Sequence, residues 1–325
     1  MKILWIYSFD PLYDWDNFLH MKYVQYLSTH PGLEVVAYGP RMHEGYGELT
    51  KLEYDKNILL KDIQVEFKFD VVIANTKSRM FGYYSPFTKR AEEYWVPEDF
   101  KNYDVPKVMI EEDYHYEPDD TWYKEAGFDV VFQRHYRNWL RAINEKPNLP
   151  QVWLPFSVDT DTFKPDPKID RIKKLCLAAS STPQVYVCRR GAFETLSAFG
   201  LAEGFTTQHW KGSSYIRCLQ SYISHICCSS IYHVTPAKIF EIMASGSILF
   251  TNQGKYGLQH LFPQDAYVSY KEDLTNTQEM ANKIIHDSVF RDHTVKTARN
   301  TILSRHTHYI RTTELLNAIR RECDL

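Results

Sequence analysis

Three groups of residues in this chain have types and spacings that could carry chemistry. The first is the stretch Thr235-Pro236-Ala237-Lys238-Ile239-Phe240-Glu241-Ile242-Met243-Ala244-Ser245-Gly246. It reads as a helix with Thr235 as its N-cap, Pro236 at the first helical position and Gly246 ending it before an apolar strand. Lys238 and Glu241 stand three apart and so share a face. An open helix N-terminus with a lysine suits a diphosphate, and a carboxylate one turn on can accept two ribose hydroxyls. The same spacing also describes an ordinary capped helix with a surface ion pair worth ~0.3–0.5 kcal/mol. The second group, Glu111-Glu112-Asp113-Tyr114-His115-Tyr116, directly follows the apolar run Lys107–Ile110. His115 is the residue there best suited to proton transfer near neutral pH, with Asp113 as the alternative base. A loop histidine beside a solvated acidic rim is the plainer reading. The third is the loop Ser8–Trp15 after the first apolar run, where Asp10 could bind a hydroxyl with Phe9, Tyr13 and Trp15 stacking around it. Those aromatics could equally pack the first helix.

Other combinations are weaker. Asp159-Thr160-Asp161 imitates a D-x-D metal motif, but it sits in a proline-flanked turn with no further oxygen ligands nearby. His306 and His308 lie two apart on an expected helix and so diverge. Arg134–Arg141 is basic with interleaved aromatics, as nucleic-acid grooves often are, and also as a solvated helix with an inward Trp139 would be. The six cysteines form no CxxC pair and all fall in the second half, which argues against a zinc ribbon or a disulfide framework. Cys227 and Cys228 are expected in a buried strand as inert thiols.

The elements that must position these residues follow from hydropathy. Short, continuously apolar, Val- and Ile-rich runs recur at Lys2–Tyr7, Leu33–Tyr38, Phe69–Ala74, Lys107–Ile110 and Asp129–Phe132. They resume at Leu175–Ala179, Ile226–Cys228, Ile248–Thr251 and Tyr267–Tyr270. Such runs suit strands buried on both faces of a parallel sheet. Helical stretches lie between them, at Asp14–His30, Gly191–Phe199, Ser213–Ser224 and Pro236–Ala244, and everything after Asp273 is helical. This is the α/β pattern. A proline-rich seam at 146–170 divides it into two Rossmann-like halves facing a cleft. The expected domains are 1–150, 151–305 and a terminal helix at 306–325.

Composition narrows the class. Lys and Arg number 38 against 41 Asp and Glu, a net charge of −3 that argues against a wholly basic nucleic-acid binder. Apolar residues at 44% provide enough core material to exclude global disorder. The N-terminus lacks a signal peptide's cleavage site, and no apolar stretch reaches the ~20 residues of a membrane span. A soluble, cytoplasmic protein with reduced thiols is expected.

With these residues in view, the stretch TPAKIFEIMASGSILFTN resembles the signature helix and strand of the GT-B glycosyltransferases of the "glycosyl transferases group 1" superfamily, nearest its CgeB-like branch. LPFSVDTDTFKP resembles the strand and turn that open the C-terminal domain in that superfamily, and YVCRRGAFETLSAFG its arginine-bearing helix. GLQHLFPQDAYVSYKEDL and SRHTHYIRTTELL resemble the segments that follow. The ordered set runs from about Phe128 to the end, whereas the first 127 residues match only in their α/β pattern.

The resemblance implies a GT-B fold with a C-terminal helix crossing back to the first domain. It also implies a metal-independent transferase that moves a sugar from a nucleotide diphosphate donor to an unidentified acceptor. No cofactor is implied, because the nucleotide-sugar is a substrate. Glu241 would bind its ribose, Thr235 and Lys238 would face its phosphates, and Arg189 or Arg190 would be the opposing cation. The superfamily often has a second glutamate eight positions before the ribose-binding one, and His233 stands there. Ser157 replaces the glycine of the usual G-V-D turn. The N-terminal half would supply the acceptor site and the base, from His115, Asp113 or Asp10. A DNA-base glycosyltransferase of viral type, a nucleotide-sugar epimerase and a catalytically silent nucleotide-sugar-binding protein are the alternatives, nucleic acid being disfavoured by charge.

Overall fold

The structure is a computed structural model and describes residues 1–6, 23–39, 50–52, 55, 57–75, 97–111, 120–145, 149–205, 212–254 and 256–325. Asp10, Asp113 and His115 lie outside the described residues, as does the whole loop Ser8–Trp15. The chain divides into two compact units, Met1–Pro155 together with Thr312–Leu325, and Phe156–Arg311.

The described residues of the first unit form seven strands: β1 (Lys2–Ile6), β2 (Glu34–Tyr38), β3 (Thr50–Lys51), β4 (Val71–Asn75), β5 (Lys107–Glu111), β6 (Val130–Gln133) and β7 (Gln151–Trp153). All pair in parallel, in the order β3-β2-β1-β4-β5-β6-β7. This is a doubly wound order, reversing between β1 and β4. The alternation of side chains explains the unbroken apolar run in β1. Ile3 and Trp5 enter one core with Tyr23, Val24 and Leu27 of α1 (residues 23–29), while Leu4 and Ile6 enter another with Leu60 and Ile63 of α2 (Leu60–Glu66). The first of these cores also takes in Leu315, Leu316, Ala318 and Ile319 from the end of the chain. Helices α3 (Asp120–Glu125) and α4 (Tyr136–Glu145) complete the unit.

The second unit holds a five-stranded parallel sheet in the order β12-β11-β10-β8-β9. Its strands are β8 (Ile172–Ala178), β9 (Ala202–Phe205), β10 (Tyr222–Ile226), β11 (Ile248–Asn252) and β12 (Val268–Tyr270). Among the described residues its helices are α5 (Val187–Ala198), α6 (Gly212–Ser221), α7 (Lys238–Ala244), the short α8 (Leu258–Leu261), α9 (Thr277–His286) and α10 (Ser288–Arg305), while α11 (His308–Glu322) starts here and belongs to the first unit from Thr312 on. From β8 the chain goes first to β9 on one side and then to β10 on the other, so the switch point lies between β8 and β10. Ligands of open α/β sheets bind beyond the carboxyl ends of the strands at such a point.

Local differences from the sequence expectation have physical reasons. Strand β7 comes from the seam read as an irregular connection, because three residues suffice to add an edge to β6. Strand β9, Ala202-Glu203-Gly204-Phe205, has no apolar run to announce it. Strand β10 starts four residues before the expected Ile226–Cys228, and Cys227 and Cys228 follow it, still buried. Thr235 is not a cap, since α7 begins at Lys238 after Ala237. Gly246 ends that helix as expected, with φ at 76° and Pro165 where a Cβ would stand. Arg171 ties this corner together. Its Nη1 donates to the carbonyls of Leu219 and Tyr222 and to Ser247 Oγ, and its Nη2 to the carbonyl of Ser245. Burial lowers the pKa of that guanidinium to about 10. Among the described residues, no helix is long and apolar enough to cross a membrane.

Candidate functional site

The signature stretch places its polar residues at the carboxyl end of the second sheet. Strand β10 ends at Ile226, the chain turns through 229–237, and α7 follows. Asn252, closing β11, fixes the turn: its Oδ1 accepts from Ser229 N at 3.0 Å, and its Nδ2 donates to Ser229 Oγ at 3.2 Å and Glu272 Oε1 at 3.1 Å. Two residues of the turn, Ser230 and His233, take left-handed backbone angles, with φ of 58° and 54°. A left-handed bend in a non-glycine residue costs roughly 1–3 kcal/mol, and such strain gathers at functional turns. The His233 Nδ1 is buried and without a partner. Thr235 is fully buried, and its hydroxyl donates to the carbonyl of Tyr256. It therefore fixes the corner between the turn and residue 256 rather than presenting a free hydroxyl.

Glu241 and Lys238 do not form the surface ion pair that their spacing allows. Glu241 is buried, and its Oε2 accepts from the Tyr215 hydroxyl at 2.5 Å. Lys238 Nζ donates to the oxygen of that same hydroxyl at 2.6 Å and to the carbonyl of Ala178 at 3.1 Å, and it lies 4.1 Å from the centre of the Tyr215 ring. Tyr215 thus joins a cation to a carboxylate through one oxygen. Burial, reinforced by the charge of Glu241, raises the phenol well above its ordinary pKa, so it keeps its proton. Burial likewise lowers the pKa of Lys238, and the nearby Glu241 opposes that fall.

The two candidate arginines separate cleanly. Arg189 is buried, donates through Nη1 to the carbonyl of Ser180 at 2.8 Å and stacks on the Tyr186 ring at 4.1 Å. Its buried Nε has no partner. Arg190, the next residue on α5, is exposed and pairs with Glu194 one turn on at 2.6 Å. Lys238 and Arg189 thus anchor to carbonyls just at and beyond the end of β8, Ala178 and Ser180. That is the β8 side of the switch point.

The D-x-D turn, the histidine pair and the basic stretch serve the fold. Asp159 accepts from Asp161 N at 3.0 Å and from the Thr162 hydroxyl, so its carboxylate serves its own turn. His306 follows α10 and His308 opens α11. His306 Nε2 donates to the carbonyl of Leu261 at 3.0 Å and its Nδ1 accepts from Arg311 at 2.8 Å, while His308 Nδ1 meets Ser157 Oγ at 2.8 Å. In the basic stretch, Arg134, His135 and Asn138 are buried, and Trp139 stacks on Trp153 at 6.0 Å. Arg141 on the outer face pairs with Glu145 at 3.4 Å. Tyr215 is the residue that sequence reasoning missed. It is 26 positions before Glu241, and no local pattern links the two.

Comparison with known proteins gives one family match and several likenesses of fold. Residues 195–317 match a family described as "Glycosyl transferase-like", a span that includes Tyr215, Lys238 and Glu241. No curated protein sequence matches the chain significantly. Among solved structures, a glycosyltransferase from Rickettsia africae is similar at 12% identity with a TM-score of 0.63, covering 99% of this chain and 98% of that one. Sucrose-phosphate synthase from Thermosynechococcus elongatus is similar at 11% identity and TM-score 0.64, again covering 99% and 98%. The Anabaena protein HepE, in complex with UDP, is similar at 12% identity and TM-score 0.61, covering 99% of this chain and all of that one. The chain thus has the two-sheet fold of these glycosyltransferase structures, and its residues 195–317 carry the glycosyl transferase-like match.

Proposed function

We propose that the protein transfers a sugar from a nucleoside diphosphate sugar to a hydroxyl-bearing acceptor, with the donor on the second unit and no metal at the diphosphate. The observation that carries this reading is the grouping of Lys238, Tyr215, Glu241 and Arg189 at the carboxyl end of β8 and β10. Glu241 has the oxygens to accept ribose hydroxyls, and Tyr215 holds it in place. Lys238 and Arg189 supply two positive charges to the leaving diphosphate, the role a divalent ion plays in other transferases. Charge stabilisation on the leaving group is where such a site gains most of its rate. His233 replaces a carboxylate in the turn nearest the donor sugar, and its free Nδ1 suits a sugar hydroxyl. Since HepE is in complex with UDP, a uridine diphosphate sugar is the first donor to try. The CgeB-like branch is the finer family assignment that fits the signature.

In this reading residues 1–150 form the acceptor domain, 151–305 the donor domain, and 306–325 the returning helix. His115, Asp113 or Asp10 supplies the base, and a reducing compartment such as the cytoplasm suits six free cysteines. DNA is a poor acceptor, because the basic stretch that favoured it is largely packed inward.

The test is release of nucleoside diphosphate from a panel of nucleotide-sugars, with and without chelator and candidate acceptors. Acceptor-dependent release that survives chelation supports the proposal. Donor binding without release supports a silent binding protein, and donor isomerisation without acceptor supports an epimerase. Either of the last two would overturn it.

A further inference from the structure

Below the candidate donor site lies a second group of side chains that sugar transfer does not use. Cys176 comes from β8, His225 from β10 and Cys218 from α6, three residues after Tyr215 on the same helix face. The two strand residues are direct partners across the parallel pair, His225 beside Cys176. All three are buried, with relative exposures of 0%, 1% and 1% for Cys176, Cys218 and His225. Their ligand atoms all lie within 4.8 Å of one another. We propose that Cys176, Cys218 and His225 bind a thiophilic closed-shell cation, Zn²⁺ or Cu⁺.

The geometry fits such an ion. With a metal–sulfur bond of ~2.3 Å, two thiolates on a tetrahedral ion stand about 3.8 Å apart. The Cys176 and Cys218 sulfurs are 3.7 Å apart. His225 gives the second, independent sign. The ring is almost fully buried and neither nitrogen has a well-aligned hydrogen bond, the carbonyls of Leu219 and Cys218 serving only as weak acceptors. An imidazole in that state is either a stored penalty or a ligand awaiting its ion. Those carbonyls, of Leu219 and Cys218, are the backbone acceptors beside the ring. One nitrogen can therefore turn to the metal while the other turns to a carbonyl, the usual support for a ligating histidine. Burial, together with the charges of Lys238 and Arg171, lowers the His225 pKa to about 3, which keeps the imidazole neutral and its lone pair free.

Soft thiolates with one imidazole select zinc or cuprous ion over the hard cations. Binding converts both thiols to thiolates and releases their two protons to solvent, so the charge of a zinc site is balanced locally. The ion would tie α6 to β8 and β10, and through α6 it would steady Tyr215 above. The site is distinct from the diphosphate site and needs no metal there.

The test uses the full chain, purified by a route free of metal affinity and chelators. Zinc and copper per chain are measured by plasma mass spectrometry, and which ion is retained distinguishes the two sources. The chelated, reduced protein is then given Zn²⁺, Cu⁺ or, as an optical probe, Co²⁺, each alone. The expected results are one ion per chain, a raised melting temperature on reloading, and a thiolate-to-cobalt charge-transfer band. That band should disappear in Cys218→Ser and persist in Cys323→Ser, whose cysteine lies in the other unit. The proposal is overturned if the reduced wild type shows neither band nor melting shift with any of the ions. It is also overturned if the band survives in Cys218→Ser, or if the purified chain is lighter by two hydrogens with Cys176 and Cys218 joined.

Discussion

Tyr215 donates its hydroxyl proton to Glu241 at 2.5 Å, and the same oxygen accepts from Lys238 at 2.6 Å. The carboxylate at the centre of the signature helix is therefore held by a residue of α6, not by its own helix. This bridge sets the Tyr215 oxygen between Lys238 and Glu241. Buried chains of this kind strengthen each other in a low local dielectric.

Replacing Tyr215 by Phe removes one oxygen and keeps the ring under Lys238. Loss of a hydrogen bond to a charged group is worth ~1.5–3 kcal/mol. Nucleoside diphosphate affinity should fall at least about tenfold by isothermal titration calorimetry, with the circular dichroism spectrum unchanged. Unaltered affinity would make the bridge a packing feature only.

Arg189 and Arg190 give a direct internal contrast. Arg189→Lys keeps the charge but loses the planar fork, and turnover should fall about 10²–10³-fold, as when a charge-stabilising donor is removed. Arg190→Ala breaks only an exposed pair with Glu194 and should leave kcat/KM within about twofold. Steady-state kinetics of both variants decides it, and equal losses would show that the inward placement of Arg189 does not matter.

His306 predicts a pH dependence of stability. Burial first, and then the Arg311 charge donating to Nδ1, lowers its pKa to about 4, below the ~6.5 of an unfolded chain. Between those values the unfolded state binds more protons, so stability falls as pH drops from about 6.5 to about 4 and levels off below. At 1.36 kcal/mol per unit the loss is on the order of 3 kcal/mol. His306→Gln can keep both hydrogen bonds and should flatten that part of the profile in denaturant titrations across the range. An unchanged slope would assign the acid sensitivity elsewhere, His225 being a second buried histidine with a lowered pKa.

What the sequence could show here depended on the range of the interaction. Parallel strands such as Lys2–Ile6 and Ile248–Asn252 are legible because burial on both faces makes consecutive residues apolar, Ile3 to Ile6 and Ile248 to Phe250. The α7 helix and its Gly246 stop are legible because capping and chain reversal act within a few residues. Strand β9 was not, because Glu203 and Gly204 interrupt any apolar run, and its place is set by pairing with β8. Tyr215, the inward turn of Arg189 and the meeting of Cys176, Cys218 and His225 were not legible either. Each depends on register between strands and helices far apart in the chain. Thr235 shows the opposite error: a good capping residue in sequence, it spends its hydroxyl on Tyr256 instead.

The central claim is that Glu241 marks a nucleoside diphosphate sugar site. Its most direct test is a thermal-shift panel of nucleoside diphosphates and their sugars on the wild type and on Glu241→Ala. A ligand at ~100 times its Kd adds ~2.7 kcal/mol of stability, visible as a raised Tm. The account predicts that one nucleotide family, uridine first, stabilises the wild type and that the shift shrinks or vanishes in Glu241→Ala. A panel in which no nucleotide shifts the wild type, or in which the variant shifts as much, would contradict it.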